Sequence, residues 1–406
     1  MDEPAESDAV DRVAERAPLL RRCGERFRER EPFSGLTIGI SAPITPHTGL
    51  FVETIAAGDA ARVIVTGEAG TTHGDVVERL EDHPRIRPLS RADQDEAALR
   101  ERRHELVATE PDLVADDGAN LLEPLCEEHP AIARGVHGAC EQTTGGITRL
   151  RALEEREAIP FPIYDVNGAP MKRHFDNVHG TAESSLSAIA NLTNAMIAGS
   201  RAAVVGYGHC GRGIASKLRS LGARTVVAEV DPRKALRALA DGHDVAPATE
   251  AVRDASLVIT ATGRRDVVGR EQLEAMADGT VLASIGSEIE IDVDALAKLA
   301  VERTRPEAGI ERFRLPDGRT IRLLAEGRVV NLAAPGSAGN PIEVMDTTFV
   351  LMARSLEALA AGTDLGPGLH SIPERLDREI AHEKLASMDV TIDESVNERR
   401  SDSALR

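Results

Sequence analysis

Gly206, Gly208 and Gly211 are spaced as GxGxxG between a short apolar run at 202–205 and a helical pattern at 214–221, and Glu229 closes the next apolar run at 225–228. Glycines so placed permit a tight turn and a close approach of backbone to pyrophosphate, whose charge meets the helix N-terminus. A carboxylate at the end of the following strand accepts the adenosine ribose hydroxyls. The motif alone is also met by glycine-rich turns that bind nothing, but here the strand-turn-helix context and the acidic residue are all present. A dinucleotide site is therefore expected. Glu229 would repel a 2′-phosphate, so NAD is expected over NADP; Arg233 and Lys234 would soften that preference unless, as read here, they lie on the solvated face of the next helix.

Lys172 is the second candidate. Lys172, Lys217, Lys234, Lys298 and Lys384 are the only lysines in 406 residues, and arginine supplies nearly all other positive charge. Arginine is too basic to exchange a proton near neutral pH, whereas a lysine can do so, which marks Lys172 as an acid-base group against the alternative of a surface lysine.

The elements that must position these groups read as an α/β chain. Residues 36–41 and 61–66 form buried strands around a loop that carries Thr45 and His47 and an amphipathic helix over 50–57. Polar helical material over 94–108 precedes a strand at 112–115, which ends in Asp116, Asp117 and Gly118. Ligands bind at the carboxyl ends of parallel strands, so Thr45, His47 and Asp117 are expected at a site. After an apolar helix over 186–197, strands are expected at 202–205, 225–228, 257–262, 281–285 and 329–332, which together describe a Rossmann-type doubly wound sheet. Helical pattern returns over 345–360 to rejoin the first unit, and the tail from Glu394 is polar and expected to be mobile.

Composition narrows the partners. Acidic residues number 67 against 48 Lys plus Arg, a net charge of −19, so phosphate backbones and anionic membranes are repelled. Seven Phe, two Tyr and no Trp leave little for base stacking, and cores must be built from Val, Leu, Ile and Ala. Neither nucleic acid nor membrane is expected as a partner. No apolar segment is long enough to cross a bilayer, and the acidic start from Met1 to Glu6 leads to no apolar h-region, so a signal peptide is not expected. Cys23, Cys126, Cys140 and Cys210 show neither zinc nor disulfide spacing, so no metal is expected and a reducing cytoplasm is. Acidic, lysine-poor composition suits a salt-rich interior, where a Debye length of about 3 Å at 1 M salt screens self-repulsion.

Several motifs in order resemble the S-adenosylhomocysteine hydrolase family: EQTTGG at 141–146, DVN at 165–167, KRHFDN at 172–177, the glycine turn, and LAEGRVVNL at 324–332. The resemblance covers residues 36–385. It implies a Rossmann NAD-binding domain at 182–335 inserted in an α/β substrate domain made from 1–181 and 336–385, a C-terminal tail at 386–406, tightly held NAD and a homo-oligomer, usually a tetramer. It implies hydrolysis of a nucleoside thioether by 3′-oxidation, elimination of homocysteine, water addition and re-reduction. Lys172 then serves the 3′-hydroxyl proton, Asp176 the ribose hydroxyls, and Asn177 lies between substrate and nicotinamide. Asn167 and Asp117 match further active-site positions. Thr143, Thr144, Ile285, Gly286 and Asn331 match cofactor contacts, with Thr262 at a strand end facing the dinucleotide.

The substrate site departs from the family. Where the family has H-x-T-x-E, this chain has Pro43, Thr45 and His47; a ribose-contacting glutamate is Gln142, two histidines are Ser287 and Asn340, a third threonine is Gly145, and a cysteine is Thr181. His47, His174 and His179 are the histidines near enough in sequence to replace a lost base, the last two read as surface residues. The family's terminal lysine and tyrosine have no counterpart beyond Arg399 or Arg400. Three functions stay open: a nucleosyl-homocysteine hydrolase, an NAD-binding paralogue acting as regulator or partner subunit, and an NAD-dependent oxidoreductase. Free homocysteine, neither product, or accumulated NADH would separate them. With His47 in place of the glutamate that accepts from the adenine amine, a ring N–H donor becomes available and a carbonyl at the purine six-position is expected to be tolerated or preferred.

Overall fold

Short runs such as Thr37–Ser41 and Ala202 to Val205 are buried on both faces, which is the condition for parallel strands covered by helices on either side. The computed structural model describes residues 8–286 and 288–393. Ser287, the stretch from Met1 to Glu6 and the tail from Glu394, with Arg399 and Arg400, lie outside the described residues.

The first sheet contains β1 (Thr37–Ser41), β2 (Arg62–Thr66), β3 (Ile86–Pro88), β4 (Leu113–Asp116), β5 (Gly138–Glu141) and β6 (Pro162–Asp165). The second contains β7 (Arg201–Val205), β8 (Arg224–Ala228), β9 (Asp244–Val245), β10 (Leu257–Thr260), β11 (Thr280–Ser284), β12 (Glu302–Glu307), β13 (Ile310–Arg314) and β14 (Thr320–Leu324). The chain then returns to the first sheet as β15 (Gly368–Ser371), which pairs in parallel with β6. Strand order is β15-β6-β5-β4-β1-β2-β3 in one sheet and β12-β13-β14-β11-β10-β7-β8-β9 in the other. Each order reverses at its first strand, at β1 beside β4 and at β7 beside β10. Such reversal points open the crevice in which doubly wound sheets bind ligands.

Aliphatic residues fill the cores, as the shortage of aromatics requires. Helices Pro18–Arg30, Pro46–Ala56 and Ile342–Ala360 cover one face of the first sheet, where Phe51 stacks on Phe349 with ring centroids 4.8 Å apart. Leu106, Leu122, Leu125 and Leu150 fill the other face.

Two expectations are corrected. Residues 329–332 form no strand but the start of a short helix, Val330–Ala333, because Ala325, Glu326 and Gly327 all take positive φ and turn the chain out of β14; a four-residue apolar run does not distinguish the two outcomes. The helix read as amphipathic over 50–57 runs from Pro46 to Ala56 with ten of its eleven residues buried, so His47 is not a loop residue but sits in its first turn. Pro46 at the first helical position and Thr45 as N-cap, accepting from Thr48 N, explain the earlier start. An antiparallel extension, β12 to β14, was not legible because β12 is almost entirely exposed and charged.

Helix Ile342–Ala360 is locked to the chain's two ends by one carboxylate. Asp346, fully buried, accepts from Leu20 N at 2.8 Å and Leu19 N at 3.3 Å and pairs with Lys384 Nζ at 3.1 Å. Asp346→Ala leaves a largely buried ammonium and two helix-terminal N–H groups unpaired, and is expected to cost about 3 kcal/mol or more. Denaturant unfolding at fixed salt measures this, with Asp346→Asn, which keeps an acceptor, losing less.

Candidate active site

A single cavity of about 1030 Å³ lies where the carboxyl ends of the two sheets face each other, reaching from Pro43 and His47 on one side to Glu229 and Asp231 on the other. All the site residues inferred above from the sequence line it, except Gly211 and the undescribed Ser287: Asn340, Thr262, Ile285 and Gly286 among them. Gly211 packs beneath the turn instead, where any Cβ would collide with the Gly206 carbonyl.

The centre is built by a break in a helix. Helix Pro170–Arg173 ends just before one π-type turn, Asp176–Gly180, and helix Thr181–Thr193 follows at once. The wider turn lets Lys172, Asp176 and Asn177 all face inward, and all three are buried. Lys172 Nζ donates to Asn177 Oδ1 at 2.7 Å and lies 2.9 Å from Asp176 Oδ2. Asn177 Nδ2 donates to Asn167 Oδ1 at 2.9 Å, and Thr144 Oγ1 donates to the same oxygen at 3.3 Å. Asp176 accepts from Asn340 Nδ2 at 2.6 Å and from Thr348 Oγ1 at 2.8 Å, while Asn331 Nδ2 donates to Asn340 Oδ1 at 2.9 Å. One chain of hydrogen bonds thus joins both sheets through Lys172.

The second sheet's half fits a dinucleotide. Gly206 has φ +99° and a Cβ there would meet the Ala261 carbonyl at 2.6 Å, while a Cβ on Gly208 would meet nothing, so backbone opens directly on the cavity. Helix His209–Ser220 begins at Gly208 without a side-chain cap, which leaves its first N–H donors for an anion. Glu229 accepts from Tyr207 N, Val230 N and Asp231 N, which fixes the carboxylate at the mouth with a lone pair remaining for a ribose hydroxyl. Arg233 is drawn onto Asp231, as an exposed residue; Lys234 is exposed too but stands at the cavity wall instead of away from it. Asn331 Oδ1, buried without a partner among the described residues, supplies an acceptor at the inner end. These residues fit NAD: turn, diol acceptor and inner amide lie along one cavity.

The first sheet's half is acidic and partly unpaired. His47 is buried, and burial pushes its imidazole down to about 4, so the ring is neutral at neutral pH; its Nε2 has no partner among the described residues. Gln142 donates to Asp117 Oδ2 at 2.6 Å and its Oε1 is likewise unpaired. Burial raises Asp117, against the opposing charge of Lys172. His174 and His179 are exposed and lie outside the cavity lining. Thr181 and Cys210 both line it, so a thiol is present although not at the position expected from the family.

Several cavity groups went unread in the sequence. Glu68, in the loop after β2, reads only as part of a glycine-rich turn; Met345 and Phe349 read only as helix. Thr348 and Ser184 act through Asp176 and Asn340 respectively, and no motif marks them.

Residues 177–337 match the NAD-binding domain of S-adenosyl-L-homocysteine hydrolase. S-inosyl-L-homocysteine hydrolase of Methanopyrus kandleri is 38% identical, over 98% of this chain and 94% of its own. Adenosylhomocysteinase of Haloquadratum walsbyi is 38% identical over 93% of this chain and 88% of its own. S-inosyl-L-homocysteine hydrolase of Methanothermobacter thermautotrophicus is 39% identical over 96% and 93%.

The placement of Glu229 predicts that NAD+ binds with preference over NADP+, and that Glu229→Ala weakens NAD+ and narrows the preference. Titration of both cofactors checks this; equal binding by the unaltered protein would remove Glu229 from the assignment.

Proposed function

The chain belongs to the S-adenosyl-L-homocysteine hydrolase family, and from that premise we propose that it hydrolyses a purine nucleosyl-homocysteine thioether, with hypoxanthine as the favoured base. His47 carries the choice of base. A neutral imidazole whose buried Nε2 has no partner among the described residues can present an N–H to a purine carbonyl, which the family's carboxylate at this position cannot do. Two of the relatives above being S-inosyl-L-homocysteine hydrolases supports the same reading.

When bound, NAD supplies reversible oxidation of the ribose 3′-hydroxyl, which makes the C4′ proton acidic enough for homocysteine to leave. Lys172 Nζ takes the 3′-hydroxyl proton and later returns it, held for this by Asn177 and Asp176. Asp176, kept in place by Asn340 and Thr348, accepts a ribose hydroxyl, and Gln142 Oε1 accepts another. Asn177 and Asn167 orient the boundary between nucleoside and cofactor, while Thr143 and Thr144, at the start of helix Thr144–Glu154, meet the nicotinamide ribose. Thr45 and Asp117 complete the nucleoside wall.

The same reading divides the chain into a Rossmann domain at 182–335 and a substrate domain from 1–181 and 336–385, assembled as a homo-oligomer in a salt-rich cytoplasm. The acidic, lysine-poor composition and the Haloquadratum walsbyi relative support the last point.

Calorimetric titration of NAD-loaded protein with S-inosyl- and S-adenosylhomocysteine tests the base. The inosyl compound is expected to bind at least as well; a tenfold preference for the adenosyl compound, about 1.4 kcal/mol, overturns the role of His47. Lys172→Arg keeps the charge but cannot give up a proton, so it is expected to abolish reduction of bound NAD+ by substrate with cofactor affinity kept within a few-fold. Normal NADH formation in that variant would make Lys172 a structural charge only.

A further inference from the structure

The first loop holds Pro43 where the family has a histidine, so a proton-transferring group is missing from the wall above β1. The next strand supplies another. Glu68 follows β2 by two residues and its side chain crosses back over β1: Oε1 accepts from Asn120 Nδ2, in the loop after β4, at 3.0 Å. Oε2 accepts no hydrogen bond among the described residues, and the residue lines the cavity. The loop is fixed, since the Glu68 carbonyl accepts from Thr71 and Thr72 hydroxyls and Arg328 Nη1 donates to the Ala69 carbonyl at 2.7 Å.

The position relative to Lys172 is set by strand order. Loops follow one another across the sheet as β6 with Lys172, β5 with Gln142, β4 with Asp117, β1 with Pro43, and β2 with Glu68, at about 4.8 Å per strand. The Glu68 carboxyl reaches back to the β4 loop at Asn120, and Lys172 is near enough to Asp117 for its charge to act on that carboxyl, so the 5′ carbon and sulfur of a nucleoside whose 3′ carbon meets Lys172 fall toward Asp117 and the Glu68 carboxyl. The charged groups around Glu68 are Asp117 and Asp116 from the β4 end and Arg103 and Glu96 from helix Glu96–Val107; Arg103 is already paired with Glu96. Burial first, and then Asp117, push the Glu68 carboxyl up, so it holds a proton where an exposed glutamate would not.

We propose that Glu68 is the catalytic acid that protonates the departing homocysteine sulfur, while Asp117 takes the C4′ proton. This rests on the hydrolase reading above. In elimination the C4′–H electron pair becomes the C4′=C5′ bond, the C5′–S pair leaves on sulfur, and the Glu68 proton joins that sulfur, so homocysteine departs as a thiol. Asp117 is then protonated and Glu68 is a carboxylate. In hydration the water oxygen bonds to C5′, its proton goes to Glu68, and Asp117 returns a proton to C4′. The two carboxyl groups hold one proton between them at the start, after elimination and at the end.

Glu68→Gln keeps the acceptor for Asn120 and removes the acid. In NAD-loaded enzyme the variant is expected to form bound NADH from inosine or adenosine within threefold of the unaltered rate, while thiol release from the nucleosyl-homocysteine falls at least thirtyfold, a threshold set below the 10²–10⁴ typical of a lost general acid. The high-pH fall in thiol release, present in the parent and in Glu68→Asp, should disappear from the residual activity of Glu68→Gln. Thiol release reduced less than thirtyfold, or NADH formation reduced to the same degree as thiol release, overturns the proposal and leaves Glu68 as scaffold. If the parent enzyme releases no thiol from either nucleosyl-homocysteine, the hydrolase reading fails instead.

Discussion

A carboxylate can stay buried at the end of a strand only where backbone N–H groups meet it, and this protein uses that constraint repeatedly to hold its loops. Asp116 ends β4 and accepts from Leu121 N and Leu122 N; Glu141 ends β5 and accepts from Gly118 N, Ala119 N and Thr143 N. In the second sheet Glu229, just past β8, binds Tyr207 N of the glycine turn, and Glu290 binds Thr262 N and Gly263 N. Asp116 holds the loop after its own strand, and each of the other three holds the loop of a neighbouring strand as well as, or instead of, its own. The crevice walls are therefore tied strand to strand, and loops that carry polar groups toward a ligand do not depend on the ligand for their shape.

That arrangement separates two uses of acidity. Glu141 and Glu290, each engaged by several amides, do not line the cavity and are structural, whereas Glu229 is held by three amides and still faces it. Glycine permits this packing: a Cβ on Gly146 would overlap the Glu141 carboxyl carbon, and one on Gly286 would overlap Glu290. Glu68 and Asp117, with fewer partners, keep lone pairs toward the cavity. The net negative charge of the chain thus says little about its site, where position and hydrogen bonding, not number, decide which acids are reactive.

The second sheet was the more legible half because its signal is local: a strand, three glycines, a helix and an acid within 28 residues of Ala202. In the first sheet β5 and β6 are four residues each, β6 opens on Pro162, and β15 joins only after the chain has built the other sheet, so neither length nor alternation announces them. The sequence places His47 in a loop, whereas it lies in the first turn of a helix that Pro46 opens, a position where proline is at home. Lys172 was legible through the scarcity of lysine. Glu68 was not, because its relation to Asp117 and Asn120 is made by strand order across β1, which no local spacing records.

The π-type turn at Asp176–Gly180 has a further consequence for how this chain tolerates length changes. A π turn is an α-helical turn with one residue more than the hydrogen-bond register needs, and each residue of an α-helix advances the direction of the side chains by about 100°. Deleting one residue between Phe175 and Thr181 would restore an unbroken register at little cost in backbone bonding. It would also swing Lys172 and Asn177 onto different faces. The extra residue at this turn therefore serves the inward placement of Lys172 and Asn177 rather than the backbone hydrogen bonding of the helix.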